Sequence, residues 1–204
     1  MTIDFKKTFK GLYSAKTDQF TVVKLPSMNY LMVDGAGDPN TSPEYVEAIE
    51  ALYSLSYALK FYSKNELAKD YVVPPLEGLW WAEDMNTFIT REKNAWQYTM
   101  MIMVPDWLTK AEVASAIDMV SSKKPGIHVE RLRLAKLAEG LCVQTLHIGP
   151  YDHEGPVLAK MHSEWMPANG YEPTLKHHEI YLGDPRKTAP AKLKTILRQP
   201  IRKR

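Results

Sequence analysis

Cysteine is almost missing from this chain: Cys142 is the only one in 204 residues. No internal disulfide can form, and a reducing, cytoplasmic setting is expected. Long apolar runs are missing too. A stretch such as Tyr98–Pro105 falls far short of the ~18 residues a membrane span needs, so no membrane partner is expected. The opening MTIDFKKTFKGLYSAK is basic, but it lacks the ~7–15-residue apolar stretch and cleavage site of a signal peptide. Several catalytic signatures are also lacking. GAGDPN has no third glycine and no strand–helix context for a dinucleotide, and no P-loop occurs. There is no GxSxG elbow, and Cys142 sits in an apolar stretch instead of an electropositive turn. His177-His178-Glu179 invites a metal reading, yet neighbours on a strand point to opposite faces. Neither a metal nor a cofactor is expected.

Charge is present but unevenly spread. Arg186–Arg204 carries eight basic residues and no acidic one, within a total of 26 Lys+Arg against 24 Asp+Glu. The rest of the chain is therefore mildly acidic, which suits a neutral or cationic ligand better than a phosphate. A nucleic-acid binder shows a basic face interleaved with aromatics. Here the cations gather at one end, so that end reads as a solvated tail and no nucleic acid is expected.

The punctuation of the chain repeats. Phe20–Val33 is β-branched and aromatic, interrupted at Pro26, and ends in the turn-rich DGAGDPN. Ser42 and Pro43 then open a helix with Ala48, Leu52, Leu55 and Leu59 on one stripe. Two strands follow at Leu76–Glu83 and Gln97–Val104. A linking helix begins with the capping box of Thr109 and Glu112. Strands are expected again at Val129–Leu134 and Leu141–Ile148. A helix of about four turns carries Val157, Leu158, Met161 and Trp165 and closes near Asn169-Gly170. His177–Leu182 is a strand, and Thr188–Gln199 reads as a short helix from Pro190. KLPSMNYLMVDGAGD from Lys24 matches KLAEGLCVQTLHIGPYD from Lys136, and EGLWW from Glu77 matches EIYLG from Glu179. The expected fold is α+β: two pseudo-symmetric βαββ modules forming antiparallel sheet, with helices on one face and a ligand pocket between modules. One domain over 1–204 would hold module one at about 20–108 and module two at about 109–204.

Two strands hold the candidate site. Glu179 and Tyr181 share a face, with Ile180 and Leu182 on the other, which should pack on helices. The Glu–Tyr face then either lines a pocket or meets solvent. Trp80 and Trp81 must point oppositely, and parity with Glu77 matches Trp81 to the Glu179 face of the repeat, leaving Trp80 nearer the core. On the next strand Trp96, Tyr98 and Met100 alternate with Thr99, Met101 and Met103, an adaptable apolar wall or simply core. Glu77 is the repeat partner of Glu179. The ligand-binding candidates are thus Trp81, Glu77, Trp80, Tyr98 and Met101, and the catalytic ones Glu179 and Tyr181.

With these stretches in view, the chain resembles the GyrI-like family, whose members carry duplicated βαββ modules related to the effector-binding domains of multidrug-sensing regulators. LPSMNYLMVDGAGDPN, PLEGLWW, LHIGPYDHEGP, NGYEP and HHEIYLGDPRKTAPAKLKTILRQP carry the likeness. It implies a small-molecule pocket with an acidic residue on a central strand, and Glu179 matches that position. It also implies a stand-alone form of the module. Length, LEGLWW and HEIYLGDP are similar to a subgroup that hydrolyses the strained cyclopropane of DNA-alkylating natural products with an aromatic cage. The implied partner is a hydrophobic polycyclic small molecule. A non-catalytic sequestering protein and a partner-binding module acting on a target such as gyrase are the other implied classes.

Overall fold

The computed structural model describes residues 2–204. Two single-turn helices open the chain, α1 (Phe5–Thr8) and α2 (Lys10–Tyr13). The β-branched stretch that follows breaks at Pro26, which has no N–H for a ladder, into β1 (Thr21–Lys24) and β2 (Met28–Ala36). The Ser42 hydroxyl accepts from the Tyr45 N–H and starts α3 (Pro43–Asn65), which buries the stripe Ala48, Leu52, Leu55 and Leu59. Next come β3 (Leu76–Trp81), the short α4 (Thr87–Thr90) and β4 (Gln97–Val104). α5 (Lys110–Lys123) begins in a complete capping box: Thr109 N–H donates to Glu112 Oε2 at 2.6 Å, and the Thr109 hydroxyl accepts from the Glu112 N–H. β5 (Arg133–Leu137) and β6 (Leu141–Ile148) lead to α6 (Gly155–Ala159), a π-helical turn over Lys160–Trp165, and α7 (Met166–Ala168). The chain ends with β7 (Tyr171–Pro173), β8 (His177–Tyr181) and β9 (Lys194–Lys203).

Two expectations are corrected. Val129–Arg131 form a 3-10 turn in place of a strand. The buried residues there, Val129 and Leu132, are three apart, a spacing a turn puts on one side and a strand does not. At the C-terminus only Pro190–Lys192 make a helical turn, and β9 is a ten-residue strand. It pairs antiparallel with β6 on one side and β8 on the other, and β7 adds at its end. The basic segment is therefore an ordered strand in place of a tail: Thr195–Gln199 are buried and Arg198 is 1% exposed, while the other cations of the segment meet solvent. Ladder partners on both flanks override the helix expected beyond Lys192.

The chain forms two compact units. The first contains residues up to Thr8, Met28–Pro74 and Trp81–Leu137. In its sheet β2 lies between β4 and β5, both antiparallel to it. α3 and α5 pack together, and α3 lies on β2 and β4. Gly35 stands opposite Tyr98, and a Cβ there would fall 2.3 Å from the Tyr98 hydroxyl, so only glycine lets the buried ring cross the strand.

The second unit contains Phe9–Ser27, Pro75–Trp80 and Ala138–Arg204. Its strands run β1-β6-β9-β8-β3, antiparallel throughout. The helical segment from α6 to α7 covers one face, seating Met161 and Met166 on Val143, Leu197 and Ile201. Each half of the sequence sets its longer helical segment between strands, giving an α+β fold of antiparallel sheet.

Candidate functional site

The register of the second unit decides which side chains meet. Opposite residues on paired strands share a face. Gly78 lies opposite Glu179 and Trp80 opposite His177, while Glu179 lies opposite Leu197 on β9. Trp80, His177, Glu179 and Tyr181 therefore occupy the face that α6–α7 covers through Leu197. Glu77, Leu79, His178, Ile180 and Arg198 occupy the other face. This reverses the expected assignment. It is Trp80, not Trp81, that stands with Glu179, and the carboxylate sits on the helix-covered side.

The two expected catalytic residues are brought together and joined to a third. Trp80 Nε1–H donates to the Tyr181 hydroxyl oxygen at 2.9 Å, and the Tyr181 O–H donates to Glu179 Oε2 at 2.8 Å. The phenol proton is directed to the carboxylate, so Tyr181 fixes Glu179. The other carboxylate oxygen, Oε1, has His177 Nε2 at 3.5 Å. Tyr151 meets the Tyr181 ring edge-on at 5.5 Å. An anchored carboxylate with one oxygen outside any short hydrogen bond, beside three aromatic rings, is suited to accept a proton near an apolar guest.

The opposite face holds a buried charge cluster. Glu77 and His178 are fully buried, and Glu139 nearly so. His178 Nε2 lies 2.8 Å from Glu77 Oε2, and Nδ1 lies 2.9 Å from Glu139 Oε2. Both ring nitrogens face carboxylates, so both carry hydrogen and His178 is an imidazolium. Burial alone would lower its pKa, but the Glu139 charge and the bonds to Glu139 and Glu77 raise it above 6.5. Burial likewise pushes Glu139 up, but His178 and Arg198 outweigh it and leave its carboxyl below 4.5. Tyr13 O–H donates to Glu77 Oε1 at 2.9 Å, and burial first, then the Glu77 charge, pushes that phenol well above 10. Arg198 approaches Glu139 at 4.0 Å and donates to Gln144 Oε1 and the Leu12 carbonyl. Gln144 in turn donates to the Gly11 carbonyl at 3.0 Å. Two anions and two cations balance here, which makes the burial tolerable.

The remaining sequence candidates fall elsewhere. Glu77 belongs to this cluster and is not a mirror of Glu179. Trp81, alternating with Trp80 along β3, points to the opposite face. Tyr98 and Met101 are wholly buried in the core of the first unit, Tyr98 against the edge of Tyr45 at 5.2 Å. Burial also pushes the Cys142 thiol up to about 12, which removes it as a nucleophile. Tyr151, Glu139 and Arg198 escaped the sequence reading, which weighed His177 only as a metal ligand. His177 sits two positions from Glu179, the same-face spacing of a strand, and that signal was available. Nothing in the sequence marks Glu139 or Arg198 as partners 59 positions apart, and only the register brings them near.

The fold is an α+β domain of antiparallel sheet with helical cover. The GyrI-like small molecule binding domain matches residues 18–202. The chain belongs to the GyrI-like family. Among solved structures it is similar to an uncharacterized conserved protein from Listeria innocua, with 39% identity, TM-score 0.91, and 98% of this chain and 100% of that one covered. A hydrolase from the same organism is 37% identical over 98% of this chain and all of that one, with TM-score 0.87. A second structure described as a Listeria innocua hydrolase gives 38%, 0.90, and 99% and 100% coverage. The C-terminal domain of EcmrR, at 14% identity and TM-score 0.59, shares the fold alone over 91% of this chain and 98% of that one. No curated protein matches the chain.

Proposed function

We propose that this protein binds flat, hydrophobic polycyclic molecules and hydrolyses the strained cyclopropane of DNA-alkylating natural products, protecting the cell that makes it. The anchored carboxylate carries the reading: Glu179 is fixed through Oε2 by Tyr181, itself fixed by Trp80, with Oε1 turned to other work. Two relatives described as hydrolases, at 37% and 38% identity over nearly the whole chain, support hydrolytic chemistry.

In such substrates the cyclopropane is conjugated to a carbonyl. Glu179 Oε1 takes a proton from water as the water oxygen bonds to the ring carbon. The carbon–carbon bond breaks, and its electron pair passes through the conjugated system to the carbonyl oxygen. That oxygen takes a proton from solvent, Glu179 returns its own to solvent, and the product is the substrate plus one water. A positioned base contributes ~10²–10⁴ in rate, enough for an electrophile already primed by strain. Trp80, Tyr151 and Tyr181 stand on the same face as the base, and each ring stacked on the polycycle adds ~0.5–1.5 kcal/mol beyond area burial.

Glu179→Gln is expected to abolish turnover of a cyclopropane-bearing alkylator while its affinity stays within a few-fold. Product mass and equilibrium binding check this, and wild-type turnover in the variant sinks the assignment. The family's small-molecule-binding character also favours a second reading, a sequestering protein that returns its guest unchanged. Recovery of intact alkylator from the wild-type complex is the signature of that alternative.

A further inference from the structure

The geometry points to a second residue on the nucleophile: His177 Nε2 and Glu179 Oε1 together hold the attacking water. This rests on the hydrolase reading above and gives it a second catalytic residue.

His177 and Glu179 are two apart on β8, and their side chains converge so that Nε2 and Oε1 stand 3.5 Å apart. That is longer than an N–H···O hydrogen bond of ~2.7–3.2 Å, yet close enough for one oxygen to reach both atoms at ~2.8 Å. His177 is 9% exposed, and among the described residues neither of its ring nitrogens has a hydrogen-bond partner. A buried polar group without a protein partner calls for a water or a ligand, because leaving it unsatisfied is costly. Across β3, Gly78 faces Glu179 with no side chain, and Trp80, which faces His177, gives its N–H to Tyr181.

The helical side contributes as well. The turn carrying His162 is π-helical, a distortion frequent at functional sites. Burial, and then the nearness of His177, hold the His162 imidazole down to about 4. His162 is therefore uncharged at neutral pH. His177 Nε2 and Glu179 Oε1 hold the water between them, the carboxylate oxygen accepting one O–H, so that an oxygen lone pair is left for the ring carbon. When the carbon–oxygen bond forms, the proton on the Glu179 side passes to Oε1. The two residues divide the work: Glu179 removes the proton, and His177 aims the oxygen.

The test compares wild type, E179Q, H177F and H177Q in single-turnover conversion of a cyclopropane-bearing alkylator, with the dissociation constant of the intact compound measured alongside. H177F is expected to slow conversion ~10²-fold, within the range for a positioned group, with affinity changed only a few-fold. H177Q, whose amide oxygen can take the place of Nε2, is expected to recover at least ~10-fold of that loss. Should H177F not fold, H177A against H177Q gives the same comparison. An H177F rate equal to wild type, or H177Q as slow as H177F, overturns the role of His177 while leaving Glu179 standing. Wild type without turnover overturns this inference and the hydrolase reading together.

Discussion

A charge sealed from water needs partners, and His178 has two. With the imidazolium removed, Glu77 and Glu139 would face each other's charge in a dry interior. His178→Phe is therefore expected to cost ~3–5 kcal/mol, the range for breaking a buried pair, read from urea denaturation. The same site sets a pH dependence. The folded pKa of His178 is raised, so its stabilising contribution is complete below the ordinary 6.5 and is lost as pH rises through the raised value. Glu139 is lowered, so its contribution is complete above 4.5 and is lost as pH falls through the lowered value. Urea midpoints should peak between these limits and decline on the alkaline side. A wild-type profile that stays flat above the peak would contradict the paired imidazolium. A simpler residue-scale case is Gly35. Its replacement by alanine drives a methyl into the Tyr98 ring, and overpacking of this kind costs ~1–3 kcal/mol. Gly35→Ala should lower the urea midpoint, and adding Tyr98→Leu should restore part of it.

Among the elements, those with their own local signals follow the sequence. Ser42-Pro43 and the Thr109–Glu112 box start helices where their hydrogen bonds say they should, and β4 and β6 keep their expected bounds. Each cap supplies a partner to an orphan N–H, so Ser42→Ala and Thr109→Ala should each cost ~1 kcal/mol. Thermal unfolding measures this, and a change within a few tenths would show that the caps are idle. The C-terminal strand was hidden for the opposite reason. Nothing within Thr188–Lys203 announces that β6 and β8 will flank it, and its cations suggested solvent. Arg198 is buried because Gln144, Glu139 and the Leu12 carbonyl converge on it from distant positions. The site was half legible. Alternation along β8 put Glu179 with Tyr181, and their hydrogen bond follows. The repeat alignment, however, equated Glu77 with Glu179, and the register places them on opposite faces.

For the molecule as a whole, the GyrI-like match over residues 18–202 fixes the class, and in the proposed function a carboxylate anchored by a phenol and an indole supplies the chemistry. Small-molecule binding is what describes the family; in the hydrolase reading proposed above, turnover rests on how Glu179 is held. The most direct measurement is conversion of a cyclopropane-bearing alkylator in heavy-oxygen water, by wild type and Glu179→Gln, followed by mass spectrometry. The account predicts a product one water heavier, with the label in its new hydroxyl, formed over many turnovers by wild type and not by the variant. Intact alkylator recovered from wild type, or labelled product formed equally by the variant, would contradict it.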